Sequence, residues 1–151
     1  MKSCFSYEID GYYREIKLPF GFKARIHSLS SEDYSDIRKK AGFKFNMTKD
    51  VLAKMKKDKD YQPEFDMDID VFRKEKIISS LTDPVDLSFE KGGAGWDLTD
   101  KKNNIIKINL RNIKYINKEI LEAIESAILE FDKATKELEG LEKNWSQRFD
   151  I

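Results

Sequence analysis

Isoleucines recur at helical spacing toward the C-terminal end of the chain: Ile116, Ile120, Ile124 and Ile128, then Phe131. Leu121, Ala127, Ala134, Leu138 and Leu141 widen the same stripe, and Glu119, Glu122, Glu125, Glu130, Lys133 and Lys136 fill much of the remaining surface. This is the period of a helix with one buried face. Asn117 suits the N-cap, because its side-chain oxygen can accept from a free N–H of the first turn. Ile116 and Leu121 can form a hydrophobic staple across it. Gly140 can stop or kink the helix through a left-handed conformation. The pattern predicts a long amphipathic helix over 118–138, followed by a polar tail over 141–151 that carries Trp145 and Phe149 four residues apart.

Nearer the N-terminus the period shortens to two. Tyr12, Arg14, Ile16 and Leu18 alternate with Tyr13, Glu15 and Lys17, and Phe22, Ala24 and Ile26 alternate after Pro19-Phe20-Gly21. That predicts a β-hairpin with a short Gly-containing connection, with a further strand over 3–9. Ser30 followed by Asp33 resembles a capping box. It opens a predicted helix to about Ala41, stopped by Gly42, with Tyr34, Ile37 and Ala41 inward. A weaker helix follows from Thr48 to about Lys57, then a charged, poorly ordered loop over 56–66. The next helix, near 68–80, is expected to bury Ile69, Phe72, Ile77 or Ile78, and Leu81, and to end at Thr82-Asp83-Pro84, since proline disfavours helix in the residue before it. The runs 96–99 and 105–108 predict a second small hairpin around the polar turn 100–104, and 111–115 a single helical turn. Together these predict an α+β fold, mainly helical, with small hairpins packed against three to four helices. The domain assignment is one globular domain over 1–140 with a tail over 141–151.

Composition removes several function classes. Charged residues make up 37% of the chain, yet 28 basic and 28 acidic residues cancel. Solvated, salt-bridged faces account for this better than a nucleic-acid surface, which needs a basic excess. The lysines at 54, 56, 57 and 59 stand among aspartates and read the same way. Cys4 and His27 are single residues of their kind, which excludes an internal disulfide and argues against Cys/His metal sites. His27 is expected as a half-buried or exposed strand residue. No run has the apolar length of a membrane span, and the N-terminus has no signal-peptide core, so a cytoplasmic location is expected.

Candidate chemistry is sparse. Asp66, Asp68 and Asp70 superficially open a calcium loop, but the positions that need the turn glycine and the bidentate glutamate are Val71 and Ile77. Helix capping is the favoured role for Asp68 or Asp70. Gly92-Gly93-Ala94-Gly95 lacks a following Gly-Lys-Ser/Thr and precedes a strand, so it reads as a flexible connector rather than a phosphate loop. No general acid–base pair stands out, and the chain is expected to be non-enzymatic, without cofactor or metal. The candidate partner-binding residues are the aromatics Trp96, Trp145 and Phe149. Trp96 is either a core residue under the second hairpin or a contact. Trp145 and Phe149 either dock back on the domain or anchor a partner.

Gly95-Trp96-Asp97-Leu98-Thr99-Asp100, a polar turn, a short strand, Asn112-Ile113 and Glu119-Ile120-Leu121-Glu122-Ala123-Ile124 together resemble the phage tail assembly chaperones. These are small proteins encoded just before the tape-measure protein in tailed phages and prophages. Residues 16–26 are similar to that family's opening hairpin. Leu29-Ser30-Ser31-Glu32-Asp33-Tyr34 with Ile37-Arg38 is similar to its first helix, and 72–81 with Asp83-Pro84 to its middle helix. Tyr115-Ile116 stands where the family has Leu-Pro. The resemblance covers roughly residues 14–130. It implies a non-enzymatic protein of the bacterial host cytoplasm that binds the tape-measure protein, helps recruit tail-tube subunits and is not retained in the particle, with no nucleic-acid or membrane partner. The alternatives are a structural or adaptor component of a phage tail or related contractile particle, and, from a third class, a nucleic-acid-binding or regulatory protein.

Overall fold

The computed structural model describes residues 3–45, 49–58, 60 and 65–149, with the side chains of these stretches except at 45, 65 and 134–149. In chain order the elements are β1 (Tyr13–Lys17), β2 (Lys23–His27), α1 (Ser31–Lys40), β3 (Lys44–Phe45), α2 (Lys49–Lys57), β4 (Phe65–Asp66), α3 (Ile69–Leu81), β5 (Gly95–Trp96), α4 (Leu110–Ile113) and α5 (Lys118–Phe149), with 3-10 turns at Ser6–Glu8, Pro19–Gly21 and Phe89–Lys91. The fold is α+β. No helix among the described residues is long and apolar enough to cross a membrane. The chain forms two compact units, one of Met1–Leu29 with Ile77–Ile151 and one of Ser30–Lys76.

The first unit is built on the predicted hairpin. β1 and β2 pair antiparallel from Tyr13↔His27 to Lys17↔Lys23 across the Pro19–Gly21 turn. β5 then joins the far side of β2, with Ala24 opposite Trp96 and Arg25 opposite Gly95, so the sheet order is β1-β2-β5. Only one bridge, Thr99↔Ile105, remains of the expected second hairpin. Asp100 N donates to Asn104 O and Ile106 N to Leu98 O around it, so the hairpin is short, and Gly95-Trp96 at its outer end pairs with β2. Residues 3–9 hold the Ser6–Glu8 turn instead of a strand, closed by local bonds from Glu8 N to Phe5 O and Ile9 N to Ser6 O.

The core joins Leu18, Ala24 and Ile26 of the hairpin, Ile77 and Leu81 of α3, Trp96 and Leu98, Ile113, and Ile120, Ile124, Ile128 and Phe131 of α5. The helical stripe is therefore the face that seals the sheet, and each fully buried isoleucine contributes about 1.5–3 kcal/mol. Asn117 caps α5 as its position predicts, its Oδ1 accepting from Glu119 N at 2.8 Å. Asn109 caps α4 in the same way, accepting from Asn112 N. Gly140 does not stop the helix: α5 runs on to Phe149. Glycine costs an interior turn about 1 kcal/mol, which the helix absorbs when good helix formers flank it on both sides.

His27 is only 4% exposed, more enclosed than the strand pattern implied, because β2 is the central strand. Its Nε2 lies 2.6 Å from Ser79 O and its Nδ1 2.8 Å from Ser28 O, and the ring stacks on Tyr12.

In the second unit, Ser30 forms the full capping box with Asp33. Gly42, at φ 72°, ends α1, and Ile37 and Ala41 are buried. β3 and β4 make a two-stranded antiparallel ribbon. Ala41 O accepts from Asp68 N, and Lys40 reaches the buried Glu75 at 3.7 Å. Asp68 caps α3 through Val71 N, and Asp70 pairs with Lys74 at 2.8 Å, so these aspartates serve the helix. α2 has no buried residue. Ile69, expected inside, is 57% exposed. At 100° per residue it lies about 80° around the helix from Ile77.

Candidate partner-binding surface

Every residue of Gly95–Asp100 has a structural task. Gly95 adopts φ 146°, a conformation that side-chain-bearing residues rarely take, and a Cβ there would press on Phe89 Cβ at 3.3 Å. Trp96 is 3% exposed and donates its indole N–H to Ile106 O at 2.7 Å. Asp97 closes the start of β2, accepting from Lys23 N at 2.7 Å while its own N–H donates to Lys23 O. Leu98 is buried. Thr99 bridges to Ile105, and Asp100 folds the turn by accepting from Lys102 N and Asn104 N. These turn bonds hold the Asp100 carboxyl below the usual aspartate range.

The glycine-rich run before the motif is not a loose connector. Gly93, Ala94 and Gly95 are all buried, and a Cβ on Gly93 would fall 1.9 Å from Leu87 O. The run wraps around Asp83. Asp83 Oδ1 accepts from Val85 N and Leu87 N, and Oδ2 from Ala94 N and the Tyr13 hydroxyl at 2.8 Å. Burial alone would raise the Asp83 pKa, but these donors outweigh it and hold the carboxyl below its ordinary value. The Tyr13 phenol is pushed up to about 12, by burial first and then by its bond to that carboxylate. Arg25 locks the other side of the loop. It donates to Phe89 O and Gly93 O, lies over the Phe89 ring at 4.9 Å and pairs with Glu15. The sequence marks Asp83 only as a helix stop. Aspartate followed by proline and a run of turn residues is, however, the local signature of a side chain that collects backbone N–H groups.

The structure thus separates the three aromatic candidates. Trp96 is in the core, with no face open to a partner in this conformation. Trp145 and Phe149 stand on the continuous backbone of α5, and their side chains lie outside the described residues. Among the exposed apolar groups, which also include Phe20 and Leu129, Ile105 at 62% and Tyr115 at 77% come together. Both line an open concavity of about 420 Å³, with Asp100, Asn104, Ile106, Lys107, Asn112 and Ile116. Sequence reasoning missed both, because a single exposed isoleucine in a short strand looks like any other strand residue.

Comparison with protein-family models, with curated proteins and with solved structures finds no match for this chain.

Proposed function

We infer that this protein is a non-enzymatic tail assembly chaperone of a tailed phage or prophage. In this reading it acts in the bacterial cytoplasm, holding the tape-measure protein and aiding assembly of the tail tube around it. The observation that carries the reading is the ordered set Gly95–Asp100, Asn112-Ile113 and the amphipathic stretch from Glu119. Two structural features support it. The motif is a structural junction, with Trp96 and Leu98 packed in one core with the α5 stripe and Gly95-Trp96 paired to β2. α5 is also 32 residues long, about 48 Å, and beyond Phe131, where its core stripe ends, it carries Leu138, Leu141, Trp145 and Phe149 at the helical spacing by which apolar helices are engaged.

The test is co-expression with the tape-measure-like protein of the same genome, followed by affinity capture at low and high salt. Capture that survives high salt, with the partner soluble only when this chain is present, supports the chaperone. A partner equally soluble alone, with no capture, sinks it. The structural or adaptor role, which requires the chain in purified particles, then takes its place.

A further inference from the structure

The concavity between Ile105 and Tyr115 lies in an unusual charge environment for a neutral chain. From Lys101 to Lys118 the sequence has Lys101, Lys102, Lys107, Arg111, Lys114 and Lys118 and not one aspartate or glutamate, although Asp100 and Glu119 flank it. All six side chains are exposed. Lys118 pairs with Glu122 at 3.7 Å. The other five have no carboxylate partner among the described residues. Lys107 lines the concavity, and Lys101, Lys102, Arg111 and Lys114 flank its lining residues Asp100, Asn112 and Tyr115 along the chain. Asp100 is the one carboxylate in the lining, against six cations over 101–118, so this segment is positive by local segregation.

The backbone here is also open. Asn104 O accepts from Asp100 N, Ile106 N donates to Leu98 O and Ile106 O accepts from the Trp96 indole, so Asn104 and Ile106 spend their backbone groups inward. In an antiparallel ladder the intervening residues face the other way. Lys107 O accepts from the Asn112 side chain. The N–H and C=O of Ile105 and the N–H of Lys107 have no partner among the described residues.

We propose that the Ile105–Lys107 edge is a docking site for an extended acidic segment of a partner protein, which adds as a strand and seats one large apolar side chain between Ile105, Ile106, Tyr115 and Ile116. Free edge groups give main-chain affinity, and a side-chain pocket beside them gives specificity. The cationic rim selects acidic neighbours. A nucleic acid is the poorer fit. The lining has a single aromatic, Tyr115, for base stacking and includes the Asp100 carboxylate, which repels phosphate, whereas the edge offers a donor–acceptor pattern that matches a peptide backbone. A second copy of this chain is poorer still, since a two-fold contact would set the positive rim against itself. The site shares Asp100 and Asn112 with the sequence blocks on which the chaperone reading rests, but peptide binding and tape-measure capture are separate measurements, and either can fail alone.

The experiment uses the isotope-labelled full chain and three probes followed by amide NMR: a short peptide alternating glutamate with leucine, a polyglutamate peptide of equal length, and a thymidine oligonucleotide. The alternating peptide is expected to bind most tightly, moving the Ile105 and Lys107 amides. The exposed charge reversal K107E/R111E/K114E is expected to weaken it about tenfold. I105P removes an outward N–H that makes no internal bond, a position where proline is tolerated on an edge. It is expected to abolish binding while the Trp96 indole signal stays in place. Equal binding of polyglutamate reduces the face to plain charge attraction and overturns the proposal. So does preferential binding of the oligonucleotide, perturbation centred elsewhere, or no binding by any probe.

Discussion

Replacing Asp83 by alanine tests whether one carboxylate organises the loop that leads into the motif. Four donors lose their acceptor, but not at equal cost. Val85 and Leu87 are 45% and 37% exposed, so water can replace the carboxylate at their N–H groups for a few tenths of a kcal/mol each. Ala94 is only 6% exposed. Its N–H is left buried and unpaired, which costs about 1–3 kcal/mol. The half-buried Tyr13 hydroxyl adds about 1 kcal/mol. Asp83→Ala should therefore destabilise by about 3 kcal/mol. Asp83→Asn should lose roughly half of that, because one amide oxygen survives while the NH2 faces donors. Tyr13→Phe alone should cost about 1 kcal/mol and, combined with Asp83→Ala, add almost nothing, since both remove one bond. Urea titrations read by far-UV circular dichroism give these differences from the midpoints. An Asp83→Ala cost below about 1 kcal/mol, or a Tyr13→Phe cost that is fully additive, would refute the reasoning.

The same pair sets a pH response. Asp83 is depressed in the folded state, so its contribution is full above the ordinary aspartate value of 3.8 and is lost as pH falls through its lower native value. Tyr13 is raised, so its contribution is full below 10.0 and is lost as pH rises through about 12. Urea midpoints should fall in both windows for the native chain, and Tyr13→Phe should remove the alkaline loss attributable to that phenol. Gly93→Ala should cost at least about 3 kcal/mol, since its Cβ would meet a backbone carbonyl that cannot move aside; a near-native melting temperature would contradict the packing of the loop. Ser80 Oγ is buried without a hydrogen-bond partner among the described residues, so Ser80→Ala should be neutral or stabilising by about 1 kcal/mol, checked by the same titration. Gly140→Ala should raise helicity and stabilise α5 by up to about 1 kcal/mol. Had Gly140 been a left-handed stop, the substitution would instead reduce helicity.

Periodicity by itself determined the elements whose residues make their own case locally: the hairpin over β1 and β2, the capping box at Ser30, the Asn117 cap and the core stripe of α5. In each, the deciding interactions span a few residues, so the order of residue types carries the information. The motif could be picked out from its letters, and its work could not. That Trp96 pairs beside Ala24, that Asp97 closes β2 and that Asp83 gathers Tyr13 and Ala94 are contacts between residues about seventy apart or brought together by loops. Tertiary packing also decided against local preference. It paired the Trp96 backbone with Ala24 of β2, buried the glycine run and enclosed His27 on the central strand. The helix continued through Gly140 because the small cost of one glycine yields to a cooperative helix on either side. Only the structure could show that Ile105 and Tyr115 line one open hollow together with Lys107, because that depends on how a turn, a short strand and a four-residue helix are held against the core.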